Sequence, residues 1–221
     1  MCGRFAFYSP AEAVAALFRF TPFPIEPRYN IAPTQQIAAV RNSAQQDREL
    51  VMLRWGLVPF WAKDPAIGNR MINARAESLA EKPAYRDAYR KRRCIILADG
   101  FYEWRKEQNG KTPYFISLAS GQPFGFAGLW EEWTNREGGE SLQTAAIVTT
   151  AATGLPATLH HRMPVVLVQG LADAWLAGQP NVIDAVTANP PEFQAWPVDR
   201  KVNNARNEGP ELVLATDPAR S

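Results

Sequence analysis

The segment from residue 93 to residue 129 decides the fold class, and it reads RCIILADGFYEWRKEQNGKTPYFISLASGQPFGFAGL. Three apolar runs within it, 93–98, 113–118 and 124–129, have the length and the aliphatic or aromatic content of strands. Asn109-Gly110 and Ser120-Gly121 stand between strand runs, where hairpin turns belong. The segment therefore predicts several strands joined by tight turns, and a sheet that is largely antiparallel.

Strand character continues on both sides of this segment, whereas helical periodicity is limited. Further strands are predicted at 37–40, 50–55, 143–149 and 164–168. Helices are predicted at 81–92, 171–177 and 182–188. The pattern indicates an α+β protein. We expect a single β-rich domain over residues 1–221, with a curled or barrel-like, largely antiparallel sheet, peripheral helices and a flexible tail after about residue 214.

The N-terminal region contains one more helix signal and one segment without regular structure. Ser9-Pro10-Ala11-Glu12 has the pattern of a capping box with proline in the first turn, and it predicts a helix whose Val14, Leu17 and Phe18 share one face. The next stretch, 21–33, carries four prolines. Since proline lacks an amide proton and fixes φ, we expect no helix or strand there.

Composition excludes several classes of protein. A chain of 221 residues fits one large domain, because mixed and all-β domains often reach roughly 200–250 residues. A net charge of +2 does not by itself indicate nucleic-acid binding. Two cysteines without a CxxC pair and two histidines do not form a zinc site, so we expect no metal and no cofactor. With no signal peptide and no membrane-spanning run, we expect a soluble, cytoplasmic monomer with free thiols, nucleoid-associated if it is bacterial.

Cysteine occupies position two, in Met1-Cys2-Gly3-Arg4. A small residue there normally allows removal of the initiator methionine, which would make Cys2 the N-terminus. Its α-amine and thiol have reference pKa values of about 7.7–8.0 and about 8.5, so both are partly nucleophilic near neutral pH. The amine can condense with an aldehyde to a Schiff base, and the thiol can then close a thiazolidine ring. On these residues alone the simpler interpretation is favoured, namely a small residue without chemical function.

Two polar segments interrupt otherwise structural sequence. Residues 73–77 place the amide of Asn73, the guanidinium of Arg75 and a carboxylate within five positions, which is also typical of a solvated helix start or loop. Glu103 lies between Tyr102 and Trp104, just beyond the apolar strand. Apolar neighbours raise a carboxyl pKa and prepare it for proton transfer. An exposed glutamate beside core aromatics explains the same pattern.

Both histidines stand together, in His160-His161-Arg162. A lone histidine is usually structural, but two before an arginine favour a functional site. If they lie on a strand, they point to opposite faces, so only one of them enters a given pocket.

Signals for nucleic-acid binding are local. Cations that could contact phosphates are Arg4, Arg70, Arg75, Arg162 and the run 90–93, although the run also suits the dipole of a helix C-terminus. Aromatic residues that could stack on bases are Trp55, Phe60, Trp61 and Trp104. Trp61 lies on a loop containing glycine and proline, so we expect its ring to be exposed and to face a partner.

Seven motifs stand out when the chain is read as a whole. The motifs are Met1-Cys2-Gly3-Arg4-Phe5, Arg28-Tyr29-Asn30-Ile31-Ala32-Pro33-Thr34, Trp55-Gly56-Leu57-Val58-Pro59, Ile72-Asn73-Ala74-Arg75-Ala76-Glu77-Ser78, Ala98-Asp99-Gly100-Phe101-Tyr102-Glu103-Trp104, His160-His161-Arg162-Met163-Pro164 and Val202-Asn203-Asn204. Taken together, they resemble the SOS-response-associated peptidase (SRAP) family. They run in family order from residue 1 to about residue 213 and so cover nearly the whole chain.

The resemblance implies a protein of the DNA-damage response that binds single-stranded DNA and joins covalently to abasic sites. Cys2 would react through its aminothiol, Glu103 would act as acid and base, Asn73 would hold Cys2 and the sugar, and His160 would support imine formation and reversal. Residues implied on the DNA side are Arg4, Asn30, Trp61, Arg75, Trp104 and Arg162. The family name records a proposed peptidase activity, and the resemblance extends to removal of Met1 and to an associated lyase activity.

One position departs from the family pattern, because the residue after the catalytic histidine is commonly aspartate and here is His161. By strand alternation we expect His161 to face away from Cys2, and His161→Asp to change the crosslinking rate less than about tenfold. Two other functions stay open from the residues. One is a non-covalent reader of modified or damaged DNA. The other is an N-terminal-nucleophile peptidase in which Cys2 attacks an amide.

Overall fold

The computed structural model of the chain describes residues 2–45, 47–108, 110–135, 138–168 and 170–216. Strands predominate in these ranges, and the helices are short. The strands are β1 (Phe5–Phe7), β2 (Arg28–Ile31), β3 (Gln36–Asn42), β4 (Arg48–Trp55), β5 (Asn73–Arg75), β6 (Arg93–Ala98), β7 (Gly100–Glu107), β8 (Gly110–Leu118), β9 (Phe124–Thr134), β10 (Ser141–Ala151), β11 (Arg162–Pro164), β12 (Val166–Leu167) and β13 (Phe193–Pro197). The α-helices are α1 (Ala11–Phe18), α2 (Arg86–Lys91), α3 (Gly154–Ala157), α4 (Leu171–Leu176) and α5 (Val182–Ala188).

Five strands close into a barrel. The order β10-β4-β3-β6-β9 is completed by pairing of β9 with β10, so the first and last strands of the run meet. Only the pairing of β10 with β4 is parallel within this ring, and β5, β11 and β12 attach at its margins. A Cβ at Gly125 of β9 would lie 2.1 Å from the Ile95 side chain, so glycine there lets the barrel interior close around Ile95.

A second, five-stranded antiparallel sheet in the order β13-β8-β7-β1-β2 packs against the barrel. Phe5 and Phe101 of this sheet lie edge-on to Phe126 of the barrel, with ring centroids 5.6 and 6.0 Å apart. Tyr102 points to the opposite face, where the C-terminal segment covers it with Val198 and Val202. The sheet therefore has a core on both faces, and this holds its strand ends rigidly.

The sequence predictions of fold class and of the main strands are confirmed. The chain is β-rich with a closed, largely antiparallel sheet, and each predicted strand coincides with an observed one except at 164–168. That run is divided between β11 and β12, because the Val165 amide bonds to Val148 while its carbonyl bonds to Ala127. Helices α4 and α5 are also confirmed.

Several predicted elements were wrong. The stretch 21–33 contains β2, because the four consecutive residues Arg28–Ile31 include no proline and pair with β1. The helix predicted at 81–92 shrinks to α2, since Pro83 disfavours helical backbone in the residue before it. Ser120-Gly121 connects strands of two different sheets and is not a hairpin turn. Asn109 lies outside the described residues, although Glu107 pairs with Gly110 in the predicted β7–β8 hairpin.

One prediction near the N-terminus also requires correction. Ser9 does not cap α1, because its hydroxyl and its amide both donate to the carboxylate of Asp99, and Pro10 occupies the cap position. At the start of the tail, Ala215 bridges to Val198 and the Thr216 amide donates to the Pro197 carbonyl at 2.9 Å. The rest of the tail, residues 217–221, for which flexibility was predicted, lies outside the described residues.

The helices in the described ranges are all too short or too polar to cross a membrane. In the same ranges, no three histidine, cysteine, aspartate or glutamate side chains cluster as metal ligands would.

Candidate active site at the N-terminus

Strand pairing carries the N-terminus to Glu103. Phe5 pairs with Phe101, and the Tyr102 amide donates to the Arg4 carbonyl at 2.9 Å, so the ladder extends beyond the first residue of β1. Antiparallel pairing sets residues before Arg4 beside residues after Tyr102. Cys2 therefore lies close enough to Glu103 for the charge of that carboxylate to act on its thiol.

The Cys2 side chain has no solvent exposure, and its Sγ lies 3.9 Å from the Arg4 carbonyl oxygen. Burial, and then the negative charge of Glu103, raise the pKa of the Cys2 thiol far above its ordinary value. At neutral pH the thiol is therefore protonated.

Asn73 holds the backbone of Cys2. Its Nδ2 donates to the Cys2 carbonyl oxygen at 2.8 Å, and the Tyr85 hydroxyl donates to the Asn73 carbonyl at 3.2 Å. Parallel pairing with β10 places β5, and alternation along it directs Asn73 and Arg75 to one face while Ala74 enters the core. Asn73 Oδ1 is buried, and no residue that the structure describes donates a hydrogen bond to it.

Glu103 is a buried carboxyl group. It shares a face of β7 with Phe101 and is 4% exposed. Burial raises the pKa of Glu103, and positive charge on His161 opposes that rise. The group therefore holds its proton closer to neutral pH than an exposed glutamate does.

The histidine pair lies at the start of β11, and its arrangement differs from the prediction. His160 and His161 precede the strand, so strand alternation does not apply, and their rings stack with centroids 4.2 Å apart at 28°. Both rings therefore share one side of the chain, and the expectation that His161 faces the opposite way was wrong. The Arg162 amide donates to His160 Nδ1 at 3.0 Å, and burial lowers the pKa of His160.

Two of the residues predicted to face DNA are presented to solvent. Trp61 is 43% exposed, as predicted from its loop, and Arg75 is exposed on the same face as Asn73. The loop of Trp61 is fixed at both ends, because the Val58 amide donates to Thr144 Oγ1 and Trp133 Nε1 donates to the Ala62 carbonyl. The ring is therefore held out by a rigid support.

Arg162 and Trp104 are engaged within the protein. The Arg162 guanidinium forms two bonds to Glu77, at 2.5 and 3.0 Å, and a third to the Thr149 carbonyl. The half-buried Trp104 donates from Nε1 to Asn203 Oδ1 at 2.7 Å. These contacts orient both side chains along the rim of the site.

Arg4 and Asn30 hold the C-terminal segment. Asn30 is completely buried, and its Nδ2 lies 3.3, 3.0 and 2.8 Å from the carbonyl oxygens of Val202, Asn204 and Asn207. Arg4 Nη1 donates to Asn30 Oδ1 and to the Val202 carbonyl, both at 2.7 Å. The structure thus places Asn30 beneath the surface as a clamp.

Asn30→Ala is expected to lower the free energy of unfolding by about 2–4 kcal/mol, because it removes the hydrogen bonds from Asn30 Nδ2 to three carbonyl groups and the Oδ1 that accepts from Arg4. Asn207→Ala is the matched control, since the Asn207 side chain makes one exposed bond to the Lys201 carbonyl. Urea denaturation followed by fluorescence measures both variants. Equal losses in the two would contradict the clamp.

Three other residues that were predicted to contact nucleic acid are buried or bonded within the protein. Trp55 is fully buried and donates to the Ile72 carbonyl, so its ring does not reach a base. Arg92 pairs with Glu131, and Arg93 lies over the rings of Tyr89 and Trp175. This half of the basic run therefore stabilises the fold.

Two residues near the site were not predicted to act there. Glu77, which orients Arg162, belongs to the polar segment noted in the sequence, so its proximity to Asn73 along the chain was the available signal. Tyr85, which bonds to the Asn73 carbonyl, gave no signal, because only the fold brings it there.

The chain belongs to the SOS response associated peptidase (SRAP) family, whose profile matches residues 1–205. The predicted resemblance is thereby confirmed. A relative named abasic site processing protein YoqW, from Bacillus subtilis (strain 168), is 40% identical over 223 residues, which cover 96% of this chain and 99% of the relative. Abasic site processing protein YedK of Escherichia coli (strain K12) is 34% identical, with 96% of this chain and 99% of the relative covered.

Similarity extends to a vertebrate protein and to solved structures. Abasic site processing protein HMCES of Gallus gallus is 34% identical over 85% of this chain and 66% of its own length. A crystal structure of a Bacteroides thetaiotaomicron protein matches with a TM-score of 0.86 and 25% identity, covering 97% of this chain and all of that one. The crystal structure of a Bordetella bronchiseptica protein matches with a TM-score of 0.77 and 25% identity, covering 90% of this chain and all of that one.

Proposed function

We propose that this protein processes abasic sites in single-stranded DNA by forming a covalent crosslink with them. The bond would join the N-terminal Cys2, exposed by removal of Met1, to the ring-opened aldehyde of the lesion as a thiazolidine. The crosslink would protect the lesion from strand cleavage during the DNA-damage response. Family membership and the names of the relatives support abasic sites as the substrate.

The hydrogen bonding of Asn73 carries this proposal. Its Nδ2 fixes the Cys2 carbonyl at 2.8 Å, and its buried Oδ1 is left as an acceptor for a donor that the described residues do not supply. Leaving a buried acceptor unsatisfied costs about 1–3 kcal/mol. The free α-amine of a processed Cys2, or a hydroxyl of the opened sugar, has the N–H or O–H that this oxygen lacks.

The chemistry proceeds in two bond-forming steps. The Cys2 amine adds to the aldehyde carbon, and loss of one water leaves a C=N double bond. The thiol sulfur then adds to that carbon, the C=N bond becomes a single bond, and the thiol proton ends on nitrogen. The net change is loss of one water, with no oxidant or reductant consumed.

The electrostatics of the site favour this order. Because burial raises the pKa of the Cys2 thiol, the sulfur is protonated at neutral pH and the amine is the better first nucleophile. Glu103 is close enough for its charge to affect the thiol, and its own raised pKa suits donation of a proton to the departing water. As a carboxylate it would next accept the thiol proton during ring closure.

His160 has backbone partners suited to a change of protonation state. Its Nδ1 lies 3.0 Å from the Arg162 amide nitrogen and 3.2 Å from the Arg162 carbonyl oxygen. A neutral ring accepts from the first, and a protonated ring donates to the second. His160 would therefore move protons during imine formation and during reversal of the crosslink.

DNA would be held by cations and an exposed ring around this chemistry. Arg75 is exposed on the face of β5 that carries Asn73, and Trp61 is held out on its rigid loop. Phosphate contacts fix position, and stacking of a base on an aromatic ring contributes about 1–3 kcal/mol. Both contacts are independent of base identity, as recognition of a missing base requires.

The test is adduct formation on matched oligonucleotides. Untagged protein is mixed with single-stranded DNA that carries one abasic site, or the same site reduced to an alcohol, and is then denatured and resolved by electrophoresis. We expect a slowly migrating protein–DNA band with the aldehyde and none with the alcohol. Mass spectrometry should give the sum of the two masses, with protein lacking Met1, minus one water.

The same experiment separates the alternatives. Salt-sensitive binding to both oligonucleotides without a covalent band would favour the non-covalent reader, because phosphate contacts dominate such affinity. Cleavage of added peptides without an adduct would favour the peptidase. Either result would refute the crosslinking proposal.

A further inference from the structure

The stacked histidine pair carries an inference that extends the proposed function and rests on it. The rings of His160 and His161 lie 4.2 Å apart at 28°, and the first is half-buried while the second is exposed. We propose that His161 is a positioning residue for His160, which it holds against the site and whose charge state it controls through the stack.

Backbone hydrogen bonds fix both residues before the rings meet. The His160 amide donates to the Pro156 carbonyl at 3.0 Å, and the His161 carbonyl accepts from the Ala152 amide at 3.0 Å. The Arg162 amide then donates to His160 Nδ1, which sets the plane of that ring. His161 therefore covers one face of a ring whose orientation is already set by a hydrogen bond to the backbone.

The charges around the pair are mostly positive. The charged groups that act on one or both rings are Arg75, Lys111, Arg162 and Glu103. Removal of Met1 would add the positively charged α-amine of Cys2. Burial lowers the pKa of His160, and the charge of His160 is the main cause that lowers the pKa of His161. Two rings this close do not both accept a proton readily.

The exposed ring is the one that water can solvate. Repulsion between the two rings is mutual, so a proton on the exposed His161 keeps His160 neutral to a lower pH than His160 would otherwise reach. A protonated His161 also favours the ionised form of Glu103, because positive charge there lowers the pKa of that carboxyl. The pair thus links the protonation of His160 to that of Glu103 across the site.

Three substitutions separate stacking from charge. His161→Phe keeps a flat ring and removes the charge, His161→Asn removes both, and His161→Asp introduces a negative charge. His161 is exposed, so all three should fold, and thermal unfolding checks this. The chain has only two histidines, so a ¹⁵N NMR titration of the imidazoles resolves each ring directly.

We expect the pKa of His160 to rise in His161→Phe and to rise further in His161→Asp. We also expect the inflection that His160 gives to the pH–rate profile of crosslinking to move to higher pH in the same order. At a pH between the two inflections the rate should change by about three- to tenfold, since a shift of one unit changes a protonated fraction by up to tenfold. In His161→Asn, loss of the stack should also broaden the His160 resonances.

Identical His160 titrations in the wild-type protein and all three variants would overturn this proposal, whatever the crosslinking result. A His160 pKa that falls in His161→Asp would overturn it as well. If the titrations shift as expected but the wild-type protein forms no adduct, the proposed function fails while the control of His160 by His161 stands.

Discussion

Replacing Cys2 by alanine is expected to abolish the stable adduct between this protein and abasic single-stranded DNA. Alanine keeps the α-amine and, being small, still allows Met1 to be removed. It lacks the sulfur that would convert the reversible imine into a thiazolidine. The adduct surviving heat denaturation should therefore fall below detection, whereas an imine trapped by borohydride should still form.

The size of this effect follows from intramolecularity. Amine and thiol of one residue are separated by two carbons, and effective molarities for well-oriented intramolecular reactions reach about 10⁵–10⁸ M. A free thiol added at millimolar concentration therefore does not replace the missing sulfur. We expect the yield of stable adduct to fall by at least about a thousandfold, a conservative use of that range.

Three matched proteins identify which atoms matter. Cys2→Ser keeps the amine and a hydroxyl, so it should give a borohydride-trapped imine and little stable adduct. Cys94→Ala removes the other thiol, which is buried in the core and whose pKa burial raises, and it should crosslink normally. A short N-terminal extension that remains attached keeps the sulfur, blocks the amine, and should give neither product.

An equally stable band from Cys2→Ala would show that the amine alone, or another residue, holds the DNA. Loss of the band from Cys94→Ala would show that the crosslink forms elsewhere in the chain. Electrophoresis after denaturation, with and without borohydride, distinguishes these results.

The strands that could be predicted from sequence are those with a long, continuous run of apolar residues. The runs at 93–98 and 124–129 form β6 and the first half of β9, because a continuous apolar run of that length is typical of a buried strand. Strands β1, β2 and β5 have only three or four residues each and exist through their partners. Periodicity is not measurable over three residues, so such strands escape sequence analysis.

The candidate site was predictable in its residue types but not in its contacts. Cys2, Asn73 and Glu103 are chemically unusual where they stand, and the fold brings them together. Asn30 was interpreted as facing DNA, yet it bonds to carbonyls 172 to 177 positions away in the chain. A local sequence pattern does not predict a hydrogen-bond partner that is so far away in the chain.

Glu103→Gln is expected to slow crosslinking by about a hundredfold while leaving non-covalent affinity for DNA unchanged. Glutamine has nearly the same volume, so packing on β7 is kept, but it does not transfer a proton. General acid–base catalysis contributes about 10²–10⁴ in rate, which sets the lower end of the expected loss. Single-turnover kinetics measures the rate, and binding to the reduced abasic site, which offers no aldehyde, measures affinity.

Thermal unfolding shows whether the slower crosslinking of Glu103→Gln results from a loss of stability. Burial raises the pKa of Glu103 in the folded protein, so its effect on stability depends on pH. A raised pKa means that the contribution of the group to stability is fully present below its unfolded value of about 4.3 and is lost as the pH rises through the folded value. At pH 7 glutamine carries no such cost, so Glu103→Gln should unfold at the same temperature as the wild-type protein or a higher one.

Glu107→Gln is the matched control on the same strand, since Glu107 is exposed and bonds to Arg105 and Thr112. It should crosslink at the wild-type rate. If protonated Glu103 donates to the departing water, the crosslinking rate of the wild-type protein should fall as the pH rises through the raised pKa of Glu103. This pH dependence should be absent from Glu103→Gln. A variant that loses affinity as much as rate would assign Glu103 to binding instead, and a variant that keeps the pH dependence would show that another group donates the proton.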